Sequence, residues 1–197
     1  MSLLGRVLVV AVPVLLVGAL VAGQEAVTSG QEQKVEIPVN IRETMLRSKF
    51  AVESLKLPLA ETQAVEVTVR TANTVVTNLV EKILNATNVS EQTFSGKRIG
   101  HLQENDLRIS YERYSEKDGS GIRSLRTFGS PSGSNIRIRF RPDGAAYFWE
   151  NLGTKCYVGL NEAGRIEELG YMEGEKLREM RWRGDGELTM NRLGTPF

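Results

Sequence analysis

Residues 142–187 read PDGAAYFWENLGTKCYVGLNEAGRIEELGYMEGEKLREMRWRGDGE, and the turn signals in this stretch decide the fold. The signals end at Gly144, Gly153, Gly164, Gly174 and Gly186, which lie nine to twelve residues apart. Asp-Gly and Asn-x-x-Gly sequences supply the positive backbone angles of hairpin turns, so each interval has room for one strand and its turn. The stretch therefore predicts an antiparallel β-meander.

The same pattern extends toward the N-terminus as far as residue 96. Apolar and polar residues alternate over 107–111, as expected for a half-buried strand. A glycine-rich turn at 118–121 separates this strand from a second one, Ile122–Phe128, and a serine- and glycine-rich linker follows at 129–135. The sequence therefore predicts a β-meander over residues 96–197.

Short segments of this meander resemble the hairpin repeats of the MORN type, including the antitoxin-like YwqK family. The resemblance rests on residues 161–165 (NEAGR) with Tyr171, on 173–175 (EGE) and on 184–187 (GDGE), and it covers about sixty residues. It implies a repeat scaffold that binds protein or lipid and inherits no catalytic residues.

Residues 35–95 differ in character from the meander, because they contain no glycine and much of their apolar spacing is helical. Asn40 and Glu43 have the spacing of a capping box, which predicts a helix over residues 41–56. Pro58 then ends this helix, since proline restricts the residue before it.

Residues 60–85 allow two interpretations. Alternation over 65–69 is typical of a strand, whereas six apolar residues step by three and four positions throughout: Val65, Val69, Ala72, Val76, Leu79 and Ile83. The second pattern covers more residues, so it predicts a helix. Its apolar stripe either packs within the chain, on the first helix or the sheet, or forms a coiled-coil dimer.

The N-terminus carries a run of sixteen uncharged residues at 7–22. As a helix the run would span roughly 24 Å, which is shorter than a hydrocarbon core of roughly 30 Å. We therefore predict a signal peptide at 1–23, cleaved before Gln24, followed by a flexible leader at 24–34. The predicted location is periplasmic or extracellular; the alternative is a membrane anchor formed by the uncleaved segment.

Composition narrows the possible functions. The 25 basic and 24 acidic residues nearly balance, so no general attraction to nucleic acid is expected, and membrane contact is expected only through an uncleaved signal segment. Cys156 is the only cysteine, which excludes a disulfide within the chain. His101 is the only histidine and lacks metal-ligand spacing. No catalytic residue, metal or cofactor is predicted.

One strand carries a candidate binding surface. Arg137, Arg139 and Arg141 alternate with three apolar residues, which predicts that the arginines share one face of a strand. Three guanidiniums on one face suit phosphate, sulfate or carboxylate groups. The alternative is a solvated face in which they pair with carboxylates such as Glu150 or Glu179.

Aromatic residues form the other candidate surface. In the triplet 147–149, alternation places Tyr147 and Trp149 on one face of the strand and Phe148 on the other. One of these aromatic faces is then covered by the N-terminal helices, or it binds a partner or ligand. Arg181, Trp182 and Arg183 repeat the combination of arginine and aromatic residues near the C-terminus. These residues complete the predicted binding set.

The sequence thus predicts an α+β protein with two N-terminal helices followed by an antiparallel β-meander. As its function we expect an exported, noncatalytic binding or envelope-associated module for a protein or an anionic ligand. Two alternatives remain open. One is an extracytoplasmic hydrolase that uses carboxylates, and the other is a structural protein that self-associates through the long helix.

Overall fold

The computed structural model describes residues 32–115, 121–129 and 135–195. Within these ranges an eleven-stranded antiparallel sheet has its strands in the same order in space as in the chain. Two helices separate the first strand from the other ten. The predicted α+β class, with helices before a β-meander, is confirmed. The predicted signal peptide and most of the leader lie outside the described residues.

The strands and helices have the following bounds. The helices are α1 (Val39–Arg47) and α2 (Thr62–Asn85). The strands are β1 (Glu32–Gln33), β2 (Val89–Phe94), β3 (Lys97–Glu104), β4 (Leu107–Arg113), β5 (Ile122–Phe128), β6 (Ile136–Phe140), β7 (Ala146–Asn151), β8 (Cys156–Leu160), β9 (Ile166–Glu173), β10 (Lys176–Trp182) and β11 (Leu188–Gly194). Neither of the two described helices has the length and apolar character needed to cross a membrane.

Helix α1 is shorter than predicted and begins two residues earlier. Pro38 occupies the N-cap without a side-chain hydrogen bond, so the predicted capping box is wrong, and Asn40 lies inside the helix. The helix ends at Arg47, where Ser48 takes up an extended conformation, so the prediction that it continues to residue 56 and is ended by Pro58 is wrong. Beyond this end, Asn73 accepts a hydrogen bond from the Phe50 amide (2.8 Å) and donates one to the Phe50 carbonyl (2.9 Å).

Helix α2 confirms the helical interpretation of residues 60–85. All six residues of its predicted stripe are buried, and the helix packs mainly on β7, β8 and β9. Burial of this apolar stripe against the sheet stabilises the fold in proportion to the area removed from water. The stripe therefore packs within the chain, and the coiled-coil interpretation is not supported.

The hairpin turns follow the predicted glycines at four of five positions. Gly144, Gly164, Gly174 and Gly186 have φ values of 94°, 79°, 62° and 81°. At the fifth turn, Lys155 rather than Gly153 adopts the left-handed conformation, with φ of 54°. These turns fix the register that places side chains on the two faces of the sheet.

One face of the sheet, the core face, packs on the helices. Each strand from β4 to β10 contributes one buried residue to a row across this face: Tyr111, Leu125, Ile138, Trp149, Val158, Leu169 and Met180. We call the opposite side the open face, because the described chain places both helices on the core face and leaves most of the opposite side chains half-buried or exposed.

A buried ion-pair cluster lies on the core face beneath β2. The Glu91 carboxylate accepts hydrogen bonds from Tyr111 (2.7 Å) and Arg98 (2.8 Å) and lies 3.4 Å from Arg113 Nη1. The side chains of Glu91 and Arg113 are 8% and 5% exposed. Arg113 also donates to the Glu36 carbonyl (2.7 Å), which ties the segment before α1 to the sheet.

This cluster explains why the predicted boundary at residue 95 is wrong. The sheet resumes at Val89, and β2 places Glu91 rather than an apolar residue toward the core. Since strand prediction depends on apolar residues at every second position, a charged residue at an inward position removes the signal. The helical segment ends at Asn85 and the meander begins at β2.

Candidate functional site

The strand register arranges the open face in two rows of side chains that run across the strands. The first row, from β5 to β11, consists of Arg126, Arg137, Glu150, Tyr157, Gly170, Glu179 and Arg192. The second row, from β5 to β10, consists of Ser124, Arg139, Phe148, Gly159, Glu168 and Arg181. Adjacent positions in a row are separated by about 4.8 Å, the spacing of neighbouring strands.

A basic cluster occupies the part of this face formed by β3, β5 and β6. It consists of Lys97, Arg123, Arg126, Arg137 and Arg139, which line a shallow hollow of about 260 Å³ together with Tyr147 and Glu112. Arg126 and Arg137 lie directly opposite each other in the β5–β6 register. Like charges at such positions repel, so the arrangement costs folding free energy when no anion is present.

The cluster contains more cations than its carboxylate neighbours can pair. Glu112 lies 3.3 Å from Lys97 and 3.7 Å from Arg123, and Glu150 lies 3.2 Å from Arg137. Among the described residues, no carboxylate lies within 4.0 Å of the Arg126 or Arg139 guanidinium. Arg126 and Arg139 therefore carry charge that the described chain leaves unneutralised.

Arg139 also contacts an aromatic ring of the open face. Its guanidinium carbon lies 5.4 Å from the centroid of the Phe148 ring, a cation–π arrangement. This contact holds the guanidinium on the open face and joins the basic cluster to the aromatic side chains of β7. Phe148 was not among the predicted binding residues, yet it lies at the centre of this face.

Tyr147 is brought to the basic cluster by a β-bulge. Arg139 pairs with Phe148 and Phe140 pairs with Ala146, which leaves Tyr147 as the additional residue of β7. A bulge interrupts strict alternation, and Tyr147 lines the same hollow as the arginines. The predicted grouping of Tyr147 with Trp149, opposite Phe148, is therefore wrong.

The two tryptophans of the predicted binding set are part of the core. Trp149 is 1% exposed and packs among the buried residues of the core face. Trp182 is 2% exposed, and its indole Nε1 donates a hydrogen bond to the Lys56 carbonyl (3.4 Å). Neither side chain is accessible to a ligand, so both predictions as binding residues are wrong.

The predicted arginines separate into two groups. Arg137 and Arg139 share the open face as expected. Arg141 lies beyond the end of β6, where its guanidinium donates to the carbonyls of Asn161 and Glu162 and so supports a neighbouring turn. Arg141 is therefore not the third member of an arginine face.

Arg181 and Arg183 also lie apart. Arg181 is on the open face, 3.9 Å from Glu168. Arg183 is in the turn between β10 and β11, where it pairs with Asp185 and Glu187. The basic ribbon suggested by these residues is not continuous with the basic cluster.

A second depression, the aromatic hollow, adjoins the basic cluster on β7–β10. Its volume is about 410 Å³, and its apolar lining comes mainly from Phe148, Tyr157, Leu152 and Leu177. Tyr157 lies over Gly170, since a Cβ atom at that glycine would come within 2.2 Å of the tyrosine ring. The missing side chain at Gly170 therefore allows the ring to rest on the sheet.

Three carboxylates line the aromatic hollow, and each has a guanidinium partner. Glu150 lies near Arg137, Glu168 near Arg181, and Glu179 accepts hydrogen bonds from Arg192. The bonds from Arg192 lower the pKa of Glu179 below its usual value, although partial burial opposes this. Glu179 also accepts a hydrogen bond from Tyr157 (3.1 Å).

The neighbouring guanidiniums favour the ionised form of the Glu179 carboxyl. A general acid needs a carboxyl group whose pKa is raised toward the working pH, whereas the pKa of Glu179 is lowered. Burial and the Glu179 charge raise the pKa of the Tyr157 hydroxyl, so Tyr157 acts as a hydrogen-bond donor rather than a base. No group of His, Cys, Asp and Glu residues suited to a metal ion occurs in the described ranges.

Sequence reasoning missed Arg126, Phe148 and Tyr157 as members of the site. The position of Arg126 could have been predicted, because in the predicted strand 122–128 it alternates with Leu125 and Thr127 and so lies on the face opposite to them. Phe148 and Tyr157 could not be assigned to the open face without the position of the bulge and the strand register. The chain matches no protein-family model and no curated protein.

Proposed function

We propose that this protein is an exported, noncatalytic binding module whose open face binds an anionic ligand. The basic cluster supplies the contacts, with Arg126, Arg137 and Arg139 as the principal binding residues. Export is proposed from the uncharged run at residues 7–22.

One observation carries the proposal: Arg126 and Arg137 face each other on neighbouring strands, beside Arg139, and among the described residues Glu150 is the only carboxylate within 4.0 Å of any of these three guanidiniums. An arrangement of like charges costs stability in the free protein. A bound anion offsets this cost, because it replaces repulsion between guanidiniums with attraction to a shared partner. Clustered arginines of this kind therefore favour a ligand over a purely structural role.

The chemistry of the guanidinium group defines the ligand class. Each arginine presents a planar set of N–H donors that matches the oxygens of carboxylate, sulfate or phosphate, and such charge-assisted bonds are stronger than neutral ones. Two such groups on adjacent strands, about 4.8 Å apart, converge on one anionic group. Tyr147 adds a hydroxyl at the same hollow.

Sulfate binding tests the proposal. The melting temperature of the full chain is measured against sulfate concentration at constant ionic strength, with chloride as the reference anion. A ligand that binds only the folded state raises the melting temperature with its concentration. We expect this rise in the wild type and its loss in the double variant Arg126→Gln/Arg139→Gln.

A matched control removes the same charge elsewhere. The double variant Arg165→Gln/Arg183→Gln changes two arginines in the turns at one end of the sheet, where they contact the Gly184 carbonyl and the Glu187 carboxylate. This control is expected to keep the wild-type response to sulfate. An equal response in both double variants would refute the assignment of the basic cluster.

A further inference from the structure

The basic cluster and the aromatic hollow form one continuous surface rather than two separate sites. Phe148 connects them, since the guanidinium of Arg139 stacks on its ring and the ring also lines the aromatic hollow. In the first row Tyr157 lies two strands from Arg137, a distance of about 10 Å. A short oligomeric ligand bound at the arginines therefore reaches the aromatic hollow.

The polar groups of the hollow suit a ligand rich in hydroxyl groups. Guanidinium and carboxylate groups alternate along the open face in the pairs Arg137–Glu150, Arg181–Glu168 and Arg192–Glu179. Each pair offers donors and acceptors side by side. A hydroxyl group donates one hydrogen bond and accepts others, so it is satisfied by such a pair without disrupting it.

The apolar groups of the hollow suit the face of a ring. Phe148 and Tyr157 are half-buried, and Tyr157 lies over Gly170 with its hydroxyl bonded to Glu179. Aromatic side chains held in this way present a rigid apolar surface beside polar groups. A saturated ring with an apolar C–H face and hydroxyl groups at its edge matches both features.

From this combination we propose that the ligand is an acidic carbohydrate, a glycan that carries carboxylate or sulfate groups. Its anionic group binds the basic cluster, one sugar ring packs on Phe148 and Tyr157, and the hydroxyl groups bond to the Arg–Glu pairs whose carboxylates line the hollow. The inference rests on the proposed anion-binding function and adds the chemical class of the ligand.

Other polyanions fit the surface less completely. An acidic polypeptide supplies carboxylates for the basic cluster but has no polyhydroxylated ring for the hollow. An anionic lipid surface would require a wide apolar patch, whereas charged side chains surround the hollow. These two ligand classes are outcomes that the experiment distinguishes.

The experiment compares two polymers of carboxylates under identical conditions. Affinities of the full chain for polygalacturonate and for poly-L-glutamate are measured at equal carboxylate concentration and ionic strength. Tighter binding of polygalacturonate is expected. The variant Phe148→Ala should weaken polygalacturonate binding about three- to tenfold, the usual size of one aromatic contact. It should weaken poly-L-glutamate binding less, because that polymer loses only the Arg139 guanidinium's contact with the ring.

Two further variants secure the interpretation. Phe148→Leu keeps an apolar side chain of similar volume and is expected to fold, so a greater loss of affinity for polygalacturonate than for poly-L-glutamate in this variant reports the missing ring. Phe94→Ala removes an exposed phenylalanine at the end of β2 and is expected to bind both polymers normally. Circular dichroism verifies that each variant is folded.

The possible results separate this inference from the function on which it rests. Equal affinity for the two polymers, or tighter binding of poly-L-glutamate, overturns the carbohydrate assignment and leaves anion binding intact. A third measurement uses vesicles of phosphatidylglycerol, and binding to these alone overturns the carbohydrate assignment in favour of a lipid surface. If Arg126→Gln/Arg139→Gln leaves every affinity unchanged, both the inference and the proposed function are wrong.

Discussion

Arg126 on β5 and Arg137 on β6 are directly opposed on the open face, and only Arg137 has a carboxylate neighbour among the described residues. We predict that Arg126→Gln stabilises the free protein by about 0.2–1 kcal/mol at low salt, because it removes the repulsion between opposed like charges. The gain should shrink as salt screens the charges. Urea unfolding at two ionic strengths measures this gain in the free energy of unfolding. As a control, Arg181→Gln removes a guanidinium that faces Glu168 and should show no gain.

The buried cluster around Glu91 gives a prediction of the opposite sign. Glu91→Gln removes the carboxylate that faces Arg113 and accepts hydrogen bonds from Tyr111 and Arg98, and breaking a buried ion pair by removing one partner costs about 3–5 kcal/mol. Urea unfolding should show this loss. Glu104→Gln breaks the exposed pair with Lys82 and should cost no more than about 1 kcal/mol. Similar losses in both variants would contradict the structural role assigned to Glu91.

The same carboxylate makes stability depend on pH in the acid range. Burial alone would raise the pKa of Glu91, but hydrogen bonds from Tyr111 and Arg98 and the charge of Arg113 lower it below the usual value of 4.5. Its contribution is therefore complete above pH 4.5 and is lost as the pH falls through the lower pKa of the folded state. Unfolding measured from neutral pH downward should show a steeper decline in the wild type than in Glu91→Gln.

Gly170 and Tyr157 should be energetically coupled. A Cβ atom at Gly170 would meet the Tyr157 ring at 2.2 Å, so Gly170→Ala is expected to cost about 1–3 kcal/mol. In the background of Tyr157→Ala the cost should fall, with a coupling energy of about 0.5–3 kcal/mol. Gly194→Ala in β11 has open space at Cβ and serves as the control. Additive costs would mean that the two positions do not meet in solution.

The two tryptophans should affect stability without affecting the ligand. Trp149→Ala removes a fully buried ring and is expected to cost about 3–5 kcal/mol. Trp182→Phe removes the indole donor to Lys56 and should cost about 0.5–1.5 kcal/mol. Under conditions where the variants remain folded, sulfate affinity should equal that of the wild type. A selective loss of affinity in a folded variant would place the tryptophan at the site.

The meander was predictable because its turns carry local information. Gly144, Gly164 and Gly186 occupy left-handed positions that the sequence indicates through Asp-Gly and Asn-x-x-Gly, and Gly174 is indicated by its regular spacing from them. Helix α2 was predictable for a similar reason, since its stripe repeats over many residues. Each of these signals lies within a short segment of the sequence, so residues close together in the chain were sufficient to predict the turns and the helix.

The site was only partly predictable because its membership depends on register. Strict alternation grouped Tyr147 with Trp149, but the bulge in β7 moves Tyr147 to the open face and leaves Trp149 in the core. The pairing that opposes Arg126 and Arg137 joins residues on separate strands, which no periodicity reveals. Glu91 was missed because a glutamate that points into the core cannot be distinguished, in the sequence alone, from one that points into solvent.

The contacts of α2 with the sheet have a consequence for synthesis of the chain. Helix α2 ends at Asn85, whereas the strands on which it mainly packs, β7 to β9, extend from Ala146 to Glu173. A nascent chain that stops before this region has made the helix but lacks the surface that shields it from water. Truncated products should therefore aggregate, and folding should be completed only after the later hairpins have emerged.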